Sequence, residues 1–398
     1  MNAQSLFSAD INAFAQEYVN KKKNKGLVVG LISNGTNEIK GFGQLSNNAI
    51  HPPDENTIFE LGSVTSVFTT SLMLIAAQEG HFQLEDRIRD YLPSGVDAPA
   101  FKPFICREVE DYSHTAVDNV PRTRMICEPA PFAPEVCITF CNLASHTAAL
   151  SDDPKGLYAW NPLYIGKQKK DPYKDYTKAE LYEKLYRNDL NFAPGTHYKY
   201  SNSGIALLGN LVADIQQKDF SDLLEEKLLI PLQMDDTQIT LRDDQLSRFA
   251  IGHTRKGKAT NAWNFKAMAP AGGLKSTGKD LVRFIQANLT TDNTVLADAF
   301  EQVQQPRIDV YTRKKERPTT VGYGWFISTL NEVTNQPVVW HHGGTGGFRV
   351  FVGFIKDTQT GVVILSNSAN AVDELGFDLL EQIISVTTVP AKPISSNN

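Results

Sequence analysis

The first 45 residues restrict the fold more than any other part of the chain. Apolar residues recur at helical spacing over 5–20, with Leu6, Ile11, Phe14, Ala15 and Tyr18 on one side. Two strand-like runs follow, 27–32 and 38–43, joined through Ser33-Asn34-Gly35-Thr36. Asn-Gly between apolar runs signals a tight hairpin, whose central residues need positive φ. A helix leading straight into a hairpin argues for an α+β layer and against a βαβ repeat. Strand-like runs return at 323–327, 338–340, 348–354 and 361–365, before a terminal helix from about Asp373 to Ile384. The N-terminal hairpin is therefore expected to join the C-terminal strands in one antiparallel sheet flanked by helices. On this reading residues 1–62 and 251–398 form an α/β domain, and 63–250 is an inserted, mostly helical domain.

Within the insertion, Val64, Phe68, Leu72 and Ile75 recur at helical spacing, and Gly80 suits the position after a helix end. Residues 178–250 carry helical patterns broken at Ala193-Pro194-Gly195 and Pro231. Residues 96–136 hold six prolines and mixed charge, so a Cys-containing excursion at about 101–136 is expected to be irregular. All four cysteines, Cys106, Cys127, Cys137 and Cys141, fall in or near it. They allow three full pairings. One or two disulfides and an exported protein are the expectation, with four reduced thiols as the alternative. A zinc site is a weaker reading, because CxxC pairs are missing and the nearby histidines are His114 and His146.

With 398 residues, 41% of them hydrophobic, the chain can bury a sizeable core. A net charge of −6 argues against nucleic acid or an anionic membrane as the main partner. The basic runs Lys21-Lys22-Lys23 and Lys167-Gln168-Lys169-Lys170 read as solvated segments. No window reaches the ~18 apolar residues of a membrane span. Met-Asn-Ala-Gln-Ser has no apolar signal region. A periplasmic or secreted location therefore requires a leader already removed.

Three stretches carry candidate chemistry. Gly62-Ser63-Val64-Thr65-Ser66 puts a serine at the first turn of a buried helix, where free amides and the helix dipole favour a developing oxyanion. Tyr198-Lys199-Tyr200-Ser201-Asn202 precedes an apolar run and can aim a phenol and an amide into a cleft. Trp340-His341-His342-Gly343-Gly344-Thr345-Gly346-Gly347 lets a backbone or substrate approach closely. The bland readings are a helix cap, a buried tyrosine and a glycine-rich turn. Neighbouring His341 and His342 point to opposite faces of a strand, which disfavours one shared metal.

Ser63, Tyr200-x-Asn202 and His341-x-Gly343, in this order, resemble the motifs of the serine β-lactamase and penicillin-binding-protein superfamily. The segments "FELGSVT", "LASHTAAL", "PGTHYKYSNSGIALLGNL", "APAGGLKSTGKDLVRFI" and "WHHGGTGGFRVFVGF" are similar to its class C β-lactamase, DD-peptidase and esterase branch, over about 10–385. The resemblance implies a β-lactamase/transpeptidase-like α+β fold without metal or organic cofactor. It implies Ser63 as acylated nucleophile, Tyr200 as proton carrier, Asn202 as substrate contact and His341 at the head of the third motif. The amides of Ser63 and Gly344, beside Gly343, would hold the oxyanion. Implied substrates are a β-lactam, a D-amino-acid peptide or a small ester.

Two positions depart from that pattern. Ala148-Ala149 stands where the family usually has Ser-Gly. Ser66 stands where the family has its catalytic lysine. Loss of that general-base help is worth typically ~10²–10⁴-fold in rate. Three accounts of Ser66 stay open: a substitution introduced to disarm the enzyme, a chain that binds without turnover, and an active enzyme relying on Tyr200 and His341.

Overall fold

A computed structural model describes residues 5–21, 23–46, 49, 51–111, 122–154, 171–290, 294–310, 317–331 and 335–388. Lys22, His114 and the Lys167–Lys170 run lie outside the described residues. An eight-stranded sheet runs in the spatial order Ile308–Val310, Thr319–Val321, Phe326–Thr329, Pro337–Gly344, Arg349–Ile355, Thr360–Ser366, Gly26–Ser33, Thr36–Gly43. Every neighbouring pair is antiparallel. The N-terminal hairpin thus extends the C-terminal strands, with Leu27 opposite Ser366 and Ser33 opposite Thr360. Asn34 and Gly35 turn it with φ of 48° and 80°, the double positive φ that Asn-Gly supplies.

Both faces of the sheet are covered. Leu27, Val29 and Leu31 pack with Val362 and Ile364 against Ile11 and Ala15 of the helix Ala9–Asn20 and against Leu379, Leu380 and Ile383 of the helix Asp373–Thr388. Val28, Ile32, Val350, Val352, Val363 and Leu365 face the opposite core. That core also takes Leu281, Phe284 and Ile285 of the helix Gly278–Leu289. Strand alternation explains why Gly26–Ser33 is buried throughout: it is roofed on both sides.

The helix Thr65–Gln78 runs through the interior, with every residue from Thr65 to Ala76 buried. Phe68 stacks on Phe284 with ring centroids 4.0 Å apart. The helix ends as the sequence implies. Gly80 takes φ 84°, its N–H bonds Ala77 O at 3.0 Å, and His81 N–H bonds Ala76 O at 3.1 Å. Behind it lies the helix Asn202–Ile215, itself buried over most of its length.

Two local expectations need correction. The excursion contains a regular hairpin, Phe104–Asp111 paired with Arg122–Pro129, with Cys106 opposite Cys127 and bonded to it. Its strands are mostly exposed and mixed in charge, so they show no buried alternation to read. Cys137 and Cys141 are free thiols. The strand expected at 323–327 begins at Phe326, because Gly324 at φ 77° and the Gly322 N–H to Trp325 O bond of 2.8 Å make a turn there.

Candidate active site

The strand Ile58–Glu60 pairs with Lys275–Thr277 and delivers the chain into one tight turn, Gly62–Val64, continuous with the helix Thr65–Gln78. Ser63 is half-buried on that turn. The strand Pro337–Gly344 crosses it closely. A Cβ on Gly343 would overlap the Leu61 carbonyl, and one on Gly62, at φ 54°, would fall 2.6 Å from Gly344 N. Glycine is required at both crossing points, and the crossing brings Gly343 and Gly344 against the Ser63 turn.

Tyr200 and Asn202 come from the entry to Asn202–Ile215. Ser201 caps that helix: its hydroxyl accepts from Gly204 N–H at 2.9 Å and donates to Ser151 O at 2.6 Å. The Asn202 amide donates to Asp152 Oδ1 at 3.0 Å, and the Tyr200 phenol donates to Asn202 Oδ1 at 3.4 Å. The phenol also lies within hydrogen-bonding influence of the Ser63 and Ser66 hydroxyls. Burial pushes the Tyr200 phenol up to about 12, the Ser63 and Ser66 hydroxyls pull it down, and the Asp152 and Asp153 charges add to the rise. It is therefore a neutral phenol at neutral pH.

Ser66 and His341 are completely buried. Other polar side chains of the buried helix are partnered: Thr65 Oγ1 accepts from Leu274 N–H at 3.2 Å, Thr69 Oγ1 donates to Pro270 O at 2.7 Å and Thr70 Oγ1 to Tyr323 O at 2.9 Å. Among the described residues, the Ser66 Oγ has no partner of good geometry. His341 Nδ1 sits 2.7 Å from the His342 carbonyl, so it carries the ring proton, and its Nε2 is buried without a partner among the described residues. Burial first, then His342 and His146, hold His341 well below the usual histidine range. His342 points the other way, exposed, 3.0 Å from Asp373 Oδ1.

The family model named Beta-lactamase matches residues 11–382. The chain belongs to the β-lactamase family. Its relatives include a β-lactamase of Pseudomonas fluorescens, 25% identical over 369 residues, covering 86% of this chain and 88% of the relative. The D-alanyl-D-alanine-carboxypeptidase/endopeptidase AmpH of Escherichia coli K12 is 22% identical, covering 85% and 78%. Among solved structures, a β-lactamase/D-alanine carboxypeptidase from Yersinia pestis superposes with a TM-score of 0.75 at 20% identity, covering 97% of this chain and 100% of that one. A class C β-lactamase mutant superposes with a TM-score of 0.71 at 20% identity, covering 95% and 98%. Family and relatives make this chain a serine hydrolase of the β-lactamase/DD-peptidase type. No described helix is long and apolar enough to cross a membrane.

The departures from the family pattern have local consequences in this β-lactamase homologue. Ala149, in the Ala-Ala that replaces Ser-Gly, takes φ 59°, a conformation glycine adopts freely and alanine does not. Three site residues were not singled out from the sequence. Glu60 is buried beneath the Ser63 turn, Asp152 anchors Asn202, and His146 stacks on Tyr200 with ring centroids 4.4 Å apart. In the sequence His146 stands in "LASHTAAL", near enough to the cysteines for only a weak zinc reading. No group of three or more metal-ligating residues occurs among the described residues.

Proposed function

We propose that the chain acts through a covalent acyl-Ser63 intermediate on an amide or ester. Ser63 Oγ bonds the acyl carbon, and the carbonyl electrons move onto an oxygen held by the Ser63 and Gly344 N–H groups. The Ser63 proton passes to Tyr200, which as a neutral phenol gives up its own proton towards the leaving group. Collapse expels that group, and water later cleaves the ester. Asn202, held by Asp152, is the substrate contact. The observation that carries this reading is the crossing of the Ser63 turn by Gly343-Gly344 beside the Tyr200 phenol.

A β-lactam, a D-amino-acid peptide or a small ester fits such a site, as the names of the relatives suggest. A neutral His341 heading the third motif favours the peptide and ester classes over β-lactams. The Cys106–Cys127 bond supports a periplasmic or secreted location. A second reading, binding without turnover, draws support from one observation. Ser66 adds no charge to draw Tyr200 down from about 12.

Incubation with a fluorescent penicillin or a p-nitrophenyl ester, followed by intact mass, separates the readings. The acyl-enzyme reading expects an adduct that Ser63→Ala abolishes, and a Ser66→Lys variant that acylates ~10²–10⁴-fold faster. An adduct in Ser66→Lys alone selects the binding reading. Absence of an adduct from both chains overturns the acyl-Ser63 assignment.

A further inference from the structure

His146 is nearly fully buried and takes φ 56°. For a residue with a Cβ this backbone is strained and persists only where surroundings enforce it. The surroundings here are three consecutive residues of the Tyr-x-Asn segment. The Lys199 N–H donates to the His146 carbonyl at 2.8 Å. The Tyr200 ring lies against the imidazole at 4.4 Å between centroids, with 29° between planes. The Ser201 N–H donates to His146 Nδ1 at 3.2 Å. Next door, Gly195 N–H bonds Thr147 O at 2.9 Å, and Tyr198 meets the imidazole edge-on at 5.9 Å.

That donor fixes the tautomer. Nδ1 accepts from Ser201, so the neutral ring carries its proton on Nε2. Among the described residues, that Nε2 is buried without a partner. The other ionisable groups around the phenol are Tyr198, Asp152, Asp153 and Lys199, the last with its ammonium on Ala149 O at 3.1 Å.

We propose that His146 is the positioning residue for Tyr200, clasping residues 199–201 as a neutral Nε2–H imidazole so that the phenol faces Ser63. The catalytic part of this proposal rests on the reading of Tyr200 as proton carrier. The clasp and the tautomer do not.

The test uses the full chain and three readouts. Long-range ¹⁵N histidine spectra at neutral pH are expected to give His146 as the Nε2–H tautomer. An Nδ1–H or doubly protonated ring overturns the proposal. Tyrosine ring resonances, with Tyr200 assigned through Tyr200→Phe, are expected to lose the ring-current shift of the stacked imidazole in His146→Ala and His146→Asn. An unchanged Tyr200 resonance overturns the clasp. Asparagine tolerates left-handed backbone and keeps an acceptor for Ser201 N–H. His146→Ala is therefore expected to slow Ser63 acylation by about 10²-fold with little change in KM, and His146→Asn to recover about tenfold of that. Equal acylation per folded molecule in all three chains overturns the positioning role. Failure of the native chain to form any adduct would count against the acyl-Ser63 reading instead, and the two spectroscopic arms would still decide the clasp.

Discussion

Thr345 donates its hydroxyl to the Glu60 carboxylate at 2.6 Å, tying the turn after Gly344 to the strand that enters the Ser63 turn. The same carboxylate accepts the Trp263 N–H at 2.7 Å. Burial raises the Glu60 carboxyl, and the Thr345, Trp263 and Lys275 interactions hold it back down. One buried side chain thus holds three segments that converge on the nucleophile.

Replacing Glu60 by alanine leaves a buried hydroxyl and a half-buried amide N–H without their acceptor. A buried group so stranded costs about 1–3 kcal/mol and a half-buried one less, so urea unfolding should show a loss of about 2–4 kcal/mol. Glu60→Gln keeps a carbonyl acceptor and should lose markedly less. Equal losses in both variants would show that the two bonds contribute little.

The glycines at the crossing should be far less replaceable than the glycine of the hairpin. Gly35 has φ 80° and open space around it, so Gly35→Ala should cost about 1 kcal/mol through backbone strain alone. Gly343→Ala drives a methyl into the Leu61 carbonyl. It should cost about 3 kcal/mol and abolish adduct formation, because relief requires the strand to leave the Ser63 turn. Adduct formation at the native rate in Gly343→Ala would contradict this geometry.

Acid should destabilise the chain through its buried imidazoles. Burial pushes His146 down to about 4 from an ordinary 6.5, and the Ser201 N–H donated to Nδ1 occupies the lone pair that a second proton would need. A depressed folded pKa gives stability that is present above pH 6.5 and lost as pH falls through 4. At pH 4 the loss attributable to His146 is about 3 kcal/mol. His341 acts in the same sense, while the raised carboxyls of Glu60, Asp152 and Asp280 act in the opposite one. Unfolding free energies at pH 7 and pH 4 should therefore converge more closely in His146→Asn than in the native chain. An identical difference in both would assign the acid sensitivity elsewhere.

The sheet was legible because its strands keep period two or run fully apolar, and because Asn34-Gly35 names its turn. The short strands Ile308–Val310 and Thr319–Val321 were not, since their few residues are mostly half-buried or exposed and carry little pattern. The Cys106–Cys127 hairpin escaped notice for the same reason. At the site, Ser63, Tyr200, Asn202, Gly343 and Gly344 stand in compact motifs. His146, Asp152 and Glu60 take their meaning from partners 55, 50 and 285 positions away in the chain. A spacing rule reads neighbours along the chain and has no access to such crossings.

The hairpin at 104–129 owes its order to a covalent bond and a backbone ladder, not to burial; Phe104, Ile105 and Met125 stand more than half exposed. Side chains there answer to no core. Substitutions at these exposed positions are expected to leave the core packing untouched, whereas a side chain added at Gly62 or Gly343 meets backbone. The molecule is therefore divided by evolvability: a frozen crossing at its centre, and a stapled outgrowth on which new surface chemistry can accumulate while the scaffold stays the same.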